Sequence, residues 1–146
     1  MTRRSRARDV ALQVLYQDDL NPRNNPSIGD GLIQRRLGTG ELTTFARDLV
    51  AGVRLHRDDL DRLIEETAEH WTVTRMAVTD RNVLRMGAYE LLHTTTPAPV
   101  AINEAIDLAK RYGSGQSAQF VNGILDRLMR KAEPDTAGGT EEEQTA

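Results

Sequence analysis

Residues 4–20, RSRARDVALQVLYQDDL, decide the fold class that this sequence predicts. The apolar residues of this stretch recur at intervals of three and four positions: Ala7, Val10, Ala11, Val14 and Leu15. That spacing collects them on one face of an α-helix, which needs a second surface to cover it. Asn21 and Pro22 follow at once and stop the helix. The stretch therefore predicts an amphipathic helix that packs against a core.

The same helical spacing returns along the chain, and the alternation typical of strands is missing. Further apolar stripes begin near Phe45, Leu60, Val83, Ile102 and Phe120. Residues 21–40 are rich in Asn, Pro and Gly and predict a loop with one or two helical turns. A break is expected at residues 56–59, a short helix or turn at 71–78, and an extended linker at 97–99. The predicted fold class is all-α.

Short polar residues and glycines mark where these helices begin and end. The expected N-caps are Thr43 or Thr44, Thr79 or Asp80, and Ser117. Gly113 is expected to take a left-handed conformation after the helix that precedes it. Gly87 stands inside a helix, where it predicts a close approach by a second helix.

The composition is that of a soluble globular protein, with 38% hydrophobic and 28% charged residues in a chain of 146. No apolar run approaches the ~18 residues that a membrane span needs. A signal peptide requires an apolar stretch after its charged N-terminus, and no such stretch follows the N-terminal residues here. The absence of cysteine excludes disulfides, thiol catalysis and cysteine-ligated metal sites. The expected setting is the cytoplasm, without a membrane partner.

The net charge of −3 is an average over two unlike ends of the chain. The first eight residues contain four arginines, whereas residues 133–146 contain five acidic residues and no large apolar one. Without that acidic segment, residues 1–132 carry 19 basic residues and a net charge of +2. The composition of residues 133–146 is typical of disorder. We therefore expect a helical domain over residues 1–132 and an acidic disordered tail over 133–146.

No residue pattern in the chain indicates an enzyme. His56, His70 and His93 lack the spacing of metal ligands, so no metal site is expected. The nucleophile, phosphate-loop and dinucleotide motifs are missing too. We expect no catalytic residues and no cofactor.

The basic residues at the N-terminus leave two interpretations open. Four arginines precede or open the first helix: Arg3, Arg4, Arg6 and Arg8. On that helix Arg8, Leu12 and Tyr16 follow an i, i+4 ladder away from the main apolar stripe. Guanidinium groups beside a tyrosine ring suit single-stranded RNA, whose phosphates need charge and whose bases stack. A solvated, frayed N-terminus with Tyr16 in a second core contact is the alternative.

Five blocks of sequence resemble, in the same order, the motifs of one protein family. They are RARDVALQVLY at 6–16, FARDLVAGV at 45–53, VLRMGAYEL at 83–91, VAINEA leading to KRYG at 100–113, and FVNGILD at 120–126. On these motifs the chain resembles the NusB family of transcription antitermination factors. Each block alone is a weak signal, but the five together are specific.

The resemblance implies an all-α fold of two packed three-helix bundles. It also implies a binding role and not a catalytic one. Members of this family bind the boxA element of nascent ribosomal RNA together with NusE, a small-subunit ribosomal protein. The complex helps RNA polymerase to resist termination. The expected partners are therefore boxA-type single-stranded RNA, NusE and the RNA polymerase antitermination complex, with a homodimer as an additional state.

The resemblance also implies which residues form the binding sites. The expected RNA-binding residues are Arg3, Arg4, Arg6, Arg8, Tyr16, Gly113, Gln116, Ser117, Phe120 and Asn122. The expected NusE-binding residues are Tyr16, Arg81, Arg85 and Glu90. Gln116 and Gln119 stand where many family members carry acidic and basic residues, and Gly87 replaces the more usual alanine.

Two other functions are carried as alternatives. One is a helical dimerisation module without catalysis. The other is a remnant of the N-terminal RNA-binding domain of a ribosomal RNA cytosine methyltransferase. The length of 146 residues is expected to leave no room for the cofactor-binding α/β domain of such an enzyme.

Overall fold

The computed structural model describes residues 2–132, which form seven α-helices, one short 3-10 helix and no strand. The α-helices are α1 Arg3–Leu20, α2 Ser27–Leu37, α3 Glu41–Leu55, α4 Arg57–Ala68, α5 Val78–His93, α6 Ala98–Tyr112 and α7 Ser117–Ala132. The 3-10 helix, Val73–Arg75, lies between α4 and α5. None of these helices is long and apolar enough to cross a membrane. The all-α prediction is confirmed, and the predicted acidic tail lies outside the described residues.

The helices form two bundles that share one core. Helices α1, α2 and α3 pack against one another, and α5, α6 and α7 do the same. Helix α4 packs on α5 and α7, so the second bundle holds four helices. The additional helix arises because the chain breaks at His56, as expected, and ends α3 before α4 begins. Helix α5 also packs on α1 and α3, and it therefore joins the two bundles.

Helix α1 is buried on more sides than its apolar stripe predicts. Every residue of the predicted stripe is at most 4% exposed. Leu12 and Arg8, which lie off that stripe, are also 4% exposed. The reason is the position of α1, because α2 and α3 cover one side of it and α5 covers another. A single stripe identifies the helix, but it does not show how many neighbours the helix has.

Helix α2 is longer than the one or two turns predicted for residues 21–40. It spans 11 residues, and Ile33 in its middle is only 1% exposed. Gly29 lets it approach α1 closely, because a Cβ atom there would lie 2.6 Å from Cγ1 of Val14. Gly87 has the role predicted for it on α5, since a Cβ atom there would lie 2.6 Å from Cδ1 of Leu125 on α7.

Several predicted helix ends are wrong by a few residues. Helix α3 begins at Glu41, after Gly40, so Thr43 and Thr44 lie in its first turn. Helix α5 begins at Val78, and Thr79 and Asp80 lie within it. In both cases the side chains do not cap the helix. The hydroxyl of Thr43 instead donates to the carbonyl oxygen of Gly38 at 2.6 Å.

The ends of α6 and the start of α7 also differ from the prediction. Residues 97–99 do not form an extended linker, because α6 begins at Ala98 with Pro99 in its first turn. Proline is tolerated there, since the N–H that it lacks has no partner in the first turn. Gly113 has a φ of −93° and is not left-handed. Ser117 is the first residue of α7, and its Oγ accepts a hydrogen bond from the N–H of Ser114 at 2.8 Å.

Candidate RNA and partner interface

The four predicted RNA-binding arginines separate into two groups. Arg3, Arg4 and Arg6 are exposed, and together they form what we name the N-terminal basic surface. Arg8 is 4% exposed and lies inside the protein. The expectation that all four share one RNA-facing surface does not match this placement.

The guanidinium group of Arg8 is held by two carboxylates from different helices. Its Nε and Nη2 donate to the two carboxylate oxygens of Glu90 on α5, each at 2.7 Å. Its Nη1 donates to Oε1 of Glu104 on α6 at 3.1 Å. Cζ also lies 5.0 Å from the centre of the Phe45 ring on α3. These contacts give Arg8 an architectural role, since it ties α1 to three other helices.

The cluster around Arg8 satisfies its own polar atoms. Burial alone would lower the pKa of Arg8, but hydrogen bonds and charge from Glu90 and Glu104 outweigh that effect and raise the pKa. The hydroxyl of Thr96 donates to Oε2 of Glu90 at 3.0 Å. The hydroxyl of Ser5 donates to Glu104. The guanidinium group of Arg8 is therefore already engaged inside the protein.

A second buried cluster contains two of the predicted NusE-binding residues, Arg81 and Arg85. Arg85 is 3% exposed, and its Nε and Nη2 donate to Asp61 on α4 at 2.7 and 3.0 Å. Its Nη1 donates to Oδ2 of Asp19 on α1 at 3.0 Å. Arg81 donates to the same oxygen at 2.8 Å. Arg57 donates to Oδ1 of Asp19 at 2.9 Å.

These contacts divide the predicted NusE-binding residues as well. Arg85 and Glu90 are buried at 3% and 2% exposure and hold the scaffold together, so they cannot form the outer surface of this fold. Arg81 is half-buried, and Tyr16 is 38% exposed. Only the latter two can meet a partner directly.

Asp19 carries a perturbed pKa in this cluster. Burial of its carboxylate would raise the pKa, but hydrogen bonds from Arg81 and Asn82 and the charge of Arg85 outweigh burial. The pKa of Asp19 is therefore lowered from its ordinary value. The ionised form holds α1 to α4 and α5.

The N-terminal basic surface is anchored without being enclosed. Arg6 donates from Nη2 to the backbone carbonyl of Arg36, the last turn of α2, at 3.1 Å. Arg4 donates from Nε to Glu41 at 2.9 Å, and its Cζ lies 4.6 Å from the centre of the Phe45 ring. The pair formed by Arg4 and Glu41 is exposed, so water and ions screen it and it contributes little to stability. Phosphate groups can reach these guanidinium groups.

The second predicted RNA-facing region, residues 113–122, combines exposed and buried residues. Gln116 and Asn122 are exposed, and Gly113 and Phe120 are half-buried. Ser117 is 2% exposed, and its Oγ is already bonded within the loop. Ser117 therefore shapes the loop and is not available at its surface.

This region borders a groove that the sequence reasoning missed. We name it the loop groove, and its lining includes Trp71, Arg75, Asp80, Gln116 and Phe120. Trp71 is 49% exposed and meets the ring of Phe120 edge-on, with the ring centres 6.0 Å apart. The sequence contains one signal for this groove. Its lone tryptophan, Trp71, is followed four residues later by Arg75, in a segment too short for a long helix.

Asp80, which also lines the loop groove, carries a side-chain oxygen that is unpaired among the described residues. Its Oδ1 is buried and has no hydrogen-bond partner within the part of the chain that the structure describes. A buried acceptor without a donor is costly to the folded state.

Two of the three histidines stack on each other. His56 and His93 stack with their ring centres 4.1 Å apart, and the ring of Tyr89 lies 5.5 Å from that of His93. Burial and the neighbouring charge of His56 lower the pKa of His93. Within residues 2–132, no three His, Asp or Glu side chains are close enough to hold a metal ion.

Comparison with known proteins agrees with this architecture. A model described as the NusB family matches residues 5–130. A transcription antitermination protein NusB from Anaeromyxobacter dehalogenans is 42% identical, and the alignment covers 94% of this chain and 97% of the relative. The structure of NusB from T. maritima is similar with a TM-score of 0.84 and 35% identity, over 93% of this chain and 96% of that one.

A second solved structure adds the partners of a relative. It contains the antitermination factors NusB and NusE in complex with double-stranded RNA. The matching chain has a TM-score of 0.79 and 28% identity, over 90% of this chain and 98% of that one.

Proposed function

This chain belongs to the NusB family, and from that membership we propose that it is a transcription antitermination factor that binds RNA and NusE without catalysis. It binds the boxA element of nascent ribosomal RNA together with NusE and helps RNA polymerase to resist termination. It acts in the cytoplasm, where transcription takes place in bacteria such as those that contain its relatives.

The exposure of Arg3 and Arg6 at the open end of α1 is the observation that carries the RNA-binding proposal. Neither side chain is enclosed by the carboxylates that hold Arg8. Guanidinium groups form bidentate contacts with phosphates. Two neighbouring guanidinium groups can therefore bind successive phosphates of one RNA strand. Arg4 adds a third contact to the RNA, because a phosphate can compete with the exposed carboxylate of Glu41 for the Arg4 side chain.

The loop groove is suited to bases. The exposed faces of Trp71 and the half-buried ring of Phe120 offer stacking surfaces, which single-stranded RNA uses more than duplexes do. Gln116 can donate to and accept from a base edge. Arg75 adds positive charge for the phosphate that accompanies the base.

The NusE-binding surface includes Tyr16 and Arg81. Arg85 and Glu90 lie beneath this surface, and they fix the helices on which the contact residues stand.

The proposal is tested by RNA binding in solution. A fluorescent boxA-type single strand, a scrambled strand of equal length and a duplex are titrated with the protein at two salt concentrations, with and without NusE. We expect weak binding to the boxA strand, a preference for it over the scrambled strand, and tighter binding when NusE is present.

The same titrations include the outcome that would overturn the proposal. Equal affinity for all three RNAs, together with no gain in affinity when NusE is present, would overturn the proposed antitermination function. The alternative of a dimerisation module predicts that result along with a doubled mass in solution. The relative compared above is named as an antitermination protein, and this favours the antitermination function over the methyltransferase alternative.

A further inference from the structure

A chain of hydrogen bonds at the start of α1 ends on α6 and is not used by the function proposed above. The N–H of Ser5 donates to Oγ1 of Thr2 at 3.1 Å and caps the helix, and the two hydroxyl oxygens lie 2.7 Å apart. The hydroxyl of Ser5 donates in turn to Oε1 of Glu104. Ser5 and Glu104 are 99 positions apart in the sequence, so this contact joins distant parts of the chain.

The direction of these hydrogen bonds follows from the groups that form them. The carboxylate of Glu104, which is paired with Arg8, only accepts hydrogen bonds, so the hydroxyl proton of Ser5 points at it. The hydroxyl proton of Thr2 then points at Oγ of Ser5. Each bond polarises the next, and a charged acceptor strengthens the last one. The first turn of α1 is therefore held to α6.

This first turn carries the N-terminal basic surface. Arg3 and Arg4 directly precede Ser5. Arg6 follows it, and the N–H of Arg6 donates to the carbonyl oxygen of Thr2 at 3.1 Å, which closes the turn. The ends of helices open readily, and an open first turn would separate the three guanidinium groups. The contact between α1 and α6 keeps them in one arrangement.

The position of Glu104 is not one that phosphate binding favours. Its carboxylate lines a groove together with Arg3 and Arg4. Its side chain is 14% exposed, and a negative charge there repels a phosphate that approaches these arginines. Glu104 thus needs a role other than an RNA contact, and its hydrogen bonds to Ser5 and Arg8 supply one.

We propose that Glu104 is a positioning residue for RNA binding, which acts through Ser5 to hold the arginines of the N-terminal basic surface in the arrangement that RNA binds. This inference rests on the proposed function, because it concerns how the same RNA-binding surface is held. Ser5 is 6% exposed, and its hydroxyl is engaged with Thr2 and Glu104. The sequence reasoning selected neither Ser5 nor Glu104 as a site residue.

The contact with Ser5 is separable from the charge pair of Arg8. When Ser5 is replaced, Arg8 keeps both of its hydrogen bonds to Glu90, because those bonds join α1 to α5. Ser5→Ala therefore releases the first turn and leaves the buried charge pair in place. The apparent RNA affinity then falls in proportion to the fraction of molecules whose first turn stays ordered.

The inference is tested with variants of the full chain and a boxA-type single-stranded RNA, titrated at several salt concentrations. Ser5→Ala removes the hydroxyl group, and Ser5→Thr keeps it. Glu104→Gln removes the negative charge from the groove. Asp107→Asn is its matched control, since Asp107 is exposed about one turn further along α6 and does not line the groove. Urea unfolding followed by circular dichroism confirms that each variant folds.

We expect Ser5→Ala to weaken RNA binding about twofold to fivefold at every salt concentration, as the loss of one hydrogen bond predicts. Its salt slope should stay unchanged, because the variant keeps every arginine. Ser5→Thr should bind as the wild type does.

The charge variants give a result of opposite sign for the two roles that Glu104 could have. If it positions the first turn, Glu104→Gln weakens RNA binding although it removes a negative charge, and its effect is smaller in a Ser5→Ala background. If it only repels phosphate, Glu104→Gln binds RNA more tightly, as Asp107→Asn is expected to do to a small extent.

Hydrogen exchange of the Arg6 amide, measured by NMR without RNA, reports on the first turn alone. In Ser5→Ala this amide should exchange about fivefold faster than in the wild type. The amides in the middle of α1 and the urea midpoint should stay as they are in the wild type.

Wild-type affinity and wild-type exchange at Arg6 in Ser5→Ala would overturn the inference, and so would tighter RNA binding by Glu104→Gln. A lower urea midpoint with faster exchange along all of α1 would also overturn it, because Ser5 would then serve the scaffold alone. Weakened binding by an Arg3→Ala/Arg6→Ala variant in the same titrations would leave the proposed function intact in each case. No RNA binding by the wild-type chain would overturn the proposed function and this inference with it.

Discussion

Arg6 and Arg8 stand two positions apart on α1 and have opposite surroundings. Arg6 is exposed, and its side chain donates a hydrogen bond to a backbone carbonyl, whereas Arg8 is buried between Glu90 and Glu104. Successive residues of an α-helix turn by about 100°, so positions two apart point to opposite sides. One Arg-x-Arg motif therefore supplies one residue to the surface and one to the scaffold.

The second buried cluster repeats this lesson with the charges reversed. Arg8 lies between two carboxylates at the start of α1, whereas Asp19 lies among three arginines near its end. Both clusters join α1 to α5, the helix shared by the two bundles. A basic residue in this protein thus indicates a ligand only when its charge is not already balanced inside.

Replacing Arg8 should have the largest effect. Arg8→Ala leaves the buried Glu90 and the partly buried Glu104 without a counter-charge, which costs about 3–5 kcal/mol of unfolding free energy. Arg6→Ala is the matched control and should change stability by no more than about 0.5 kcal/mol. Urea unfolding followed by circular dichroism measures both values, and equal losses for the two variants would contradict the comparison.

Asp19→Asn should have the next largest effect on stability. It keeps the shape of the side chain but leaves Arg57, Arg81 and Arg85 without their shared anion, at a cost of about 1–3 kcal/mol. The variant should also change the response to acid. Because the pKa of Asp19 is lowered in the folded state, its contribution is present above the unfolded pKa of about 3.9 and is lost as the pH falls through the folded pKa.

The pH dependence of unfolding measures that contribution. From about pH 5 downward, the wild-type chain should lose stability more steeply than Asp19→Asn does. Parallel curves for the two proteins would show that the Asp19 cluster does not hold α1 in place.

The exposed arginines should affect RNA and not stability. An Arg3→Ala/Arg6→Ala variant should unfold within about 0.5 kcal/mol of the wild type. Its affinity for a boxA-type single strand should depend less on salt, by about 1.4 in the logarithmic slope for two lost phosphate contacts. Fluorescence polarisation at several salt concentrations gives the slope, and a slope equal to that of the wild type would remove both residues from the site.

Arg6→Lys should have the smallest effect of all. Lysine keeps the charge, so the salt slope should stay unchanged, and only the planar geometry of the guanidinium group is lost. The same polarisation titration measures it. A change in slope as large as that of an Arg6→Ala variant would show that Arg6 acts through its shape and not through its charge.

The sequence predicted the fold well because the helical spacing of apolar residues and the family motifs are both patterns of residues that lie close together in the chain. The stripe of α1 and the break at His56 follow from residues near one another in the chain, and the close approach at Gly87 was indicated by a glycine inside a helical stretch. Cap positions failed where a side chain found a different partner, as Thr43 does with the carbonyl of Gly38. The length of α2 was missed because Ile33 and Gly29 pack on distant residues.

The candidate site was predicted less completely, because charge pairing is a tertiary property. The partners of Arg8 lie 82 and 96 positions away in the sequence. A helical wheel places Arg6 and Arg8 on opposite sides of α1, but it does not show that Glu90 lies on the side of Arg8. Trp71 lines the loop groove from a segment that the sequence predicted only as a short helix or turn.

The most direct test of the central claim is the mass of the complex formed by this chain, NusE and a boxA-type single strand, measured by native mass spectrometry. The claim is that exposed N-terminal arginines bind RNA on a scaffold that buried arginines hold together. It predicts that the wild type forms one ternary complex that survives at moderate salt. It also predicts that the Arg3→Ala/Arg6→Ala variant, although folded, loses this complex at the same salt concentration. A ternary complex of equal salt resistance in both, or none in either, would contradict it.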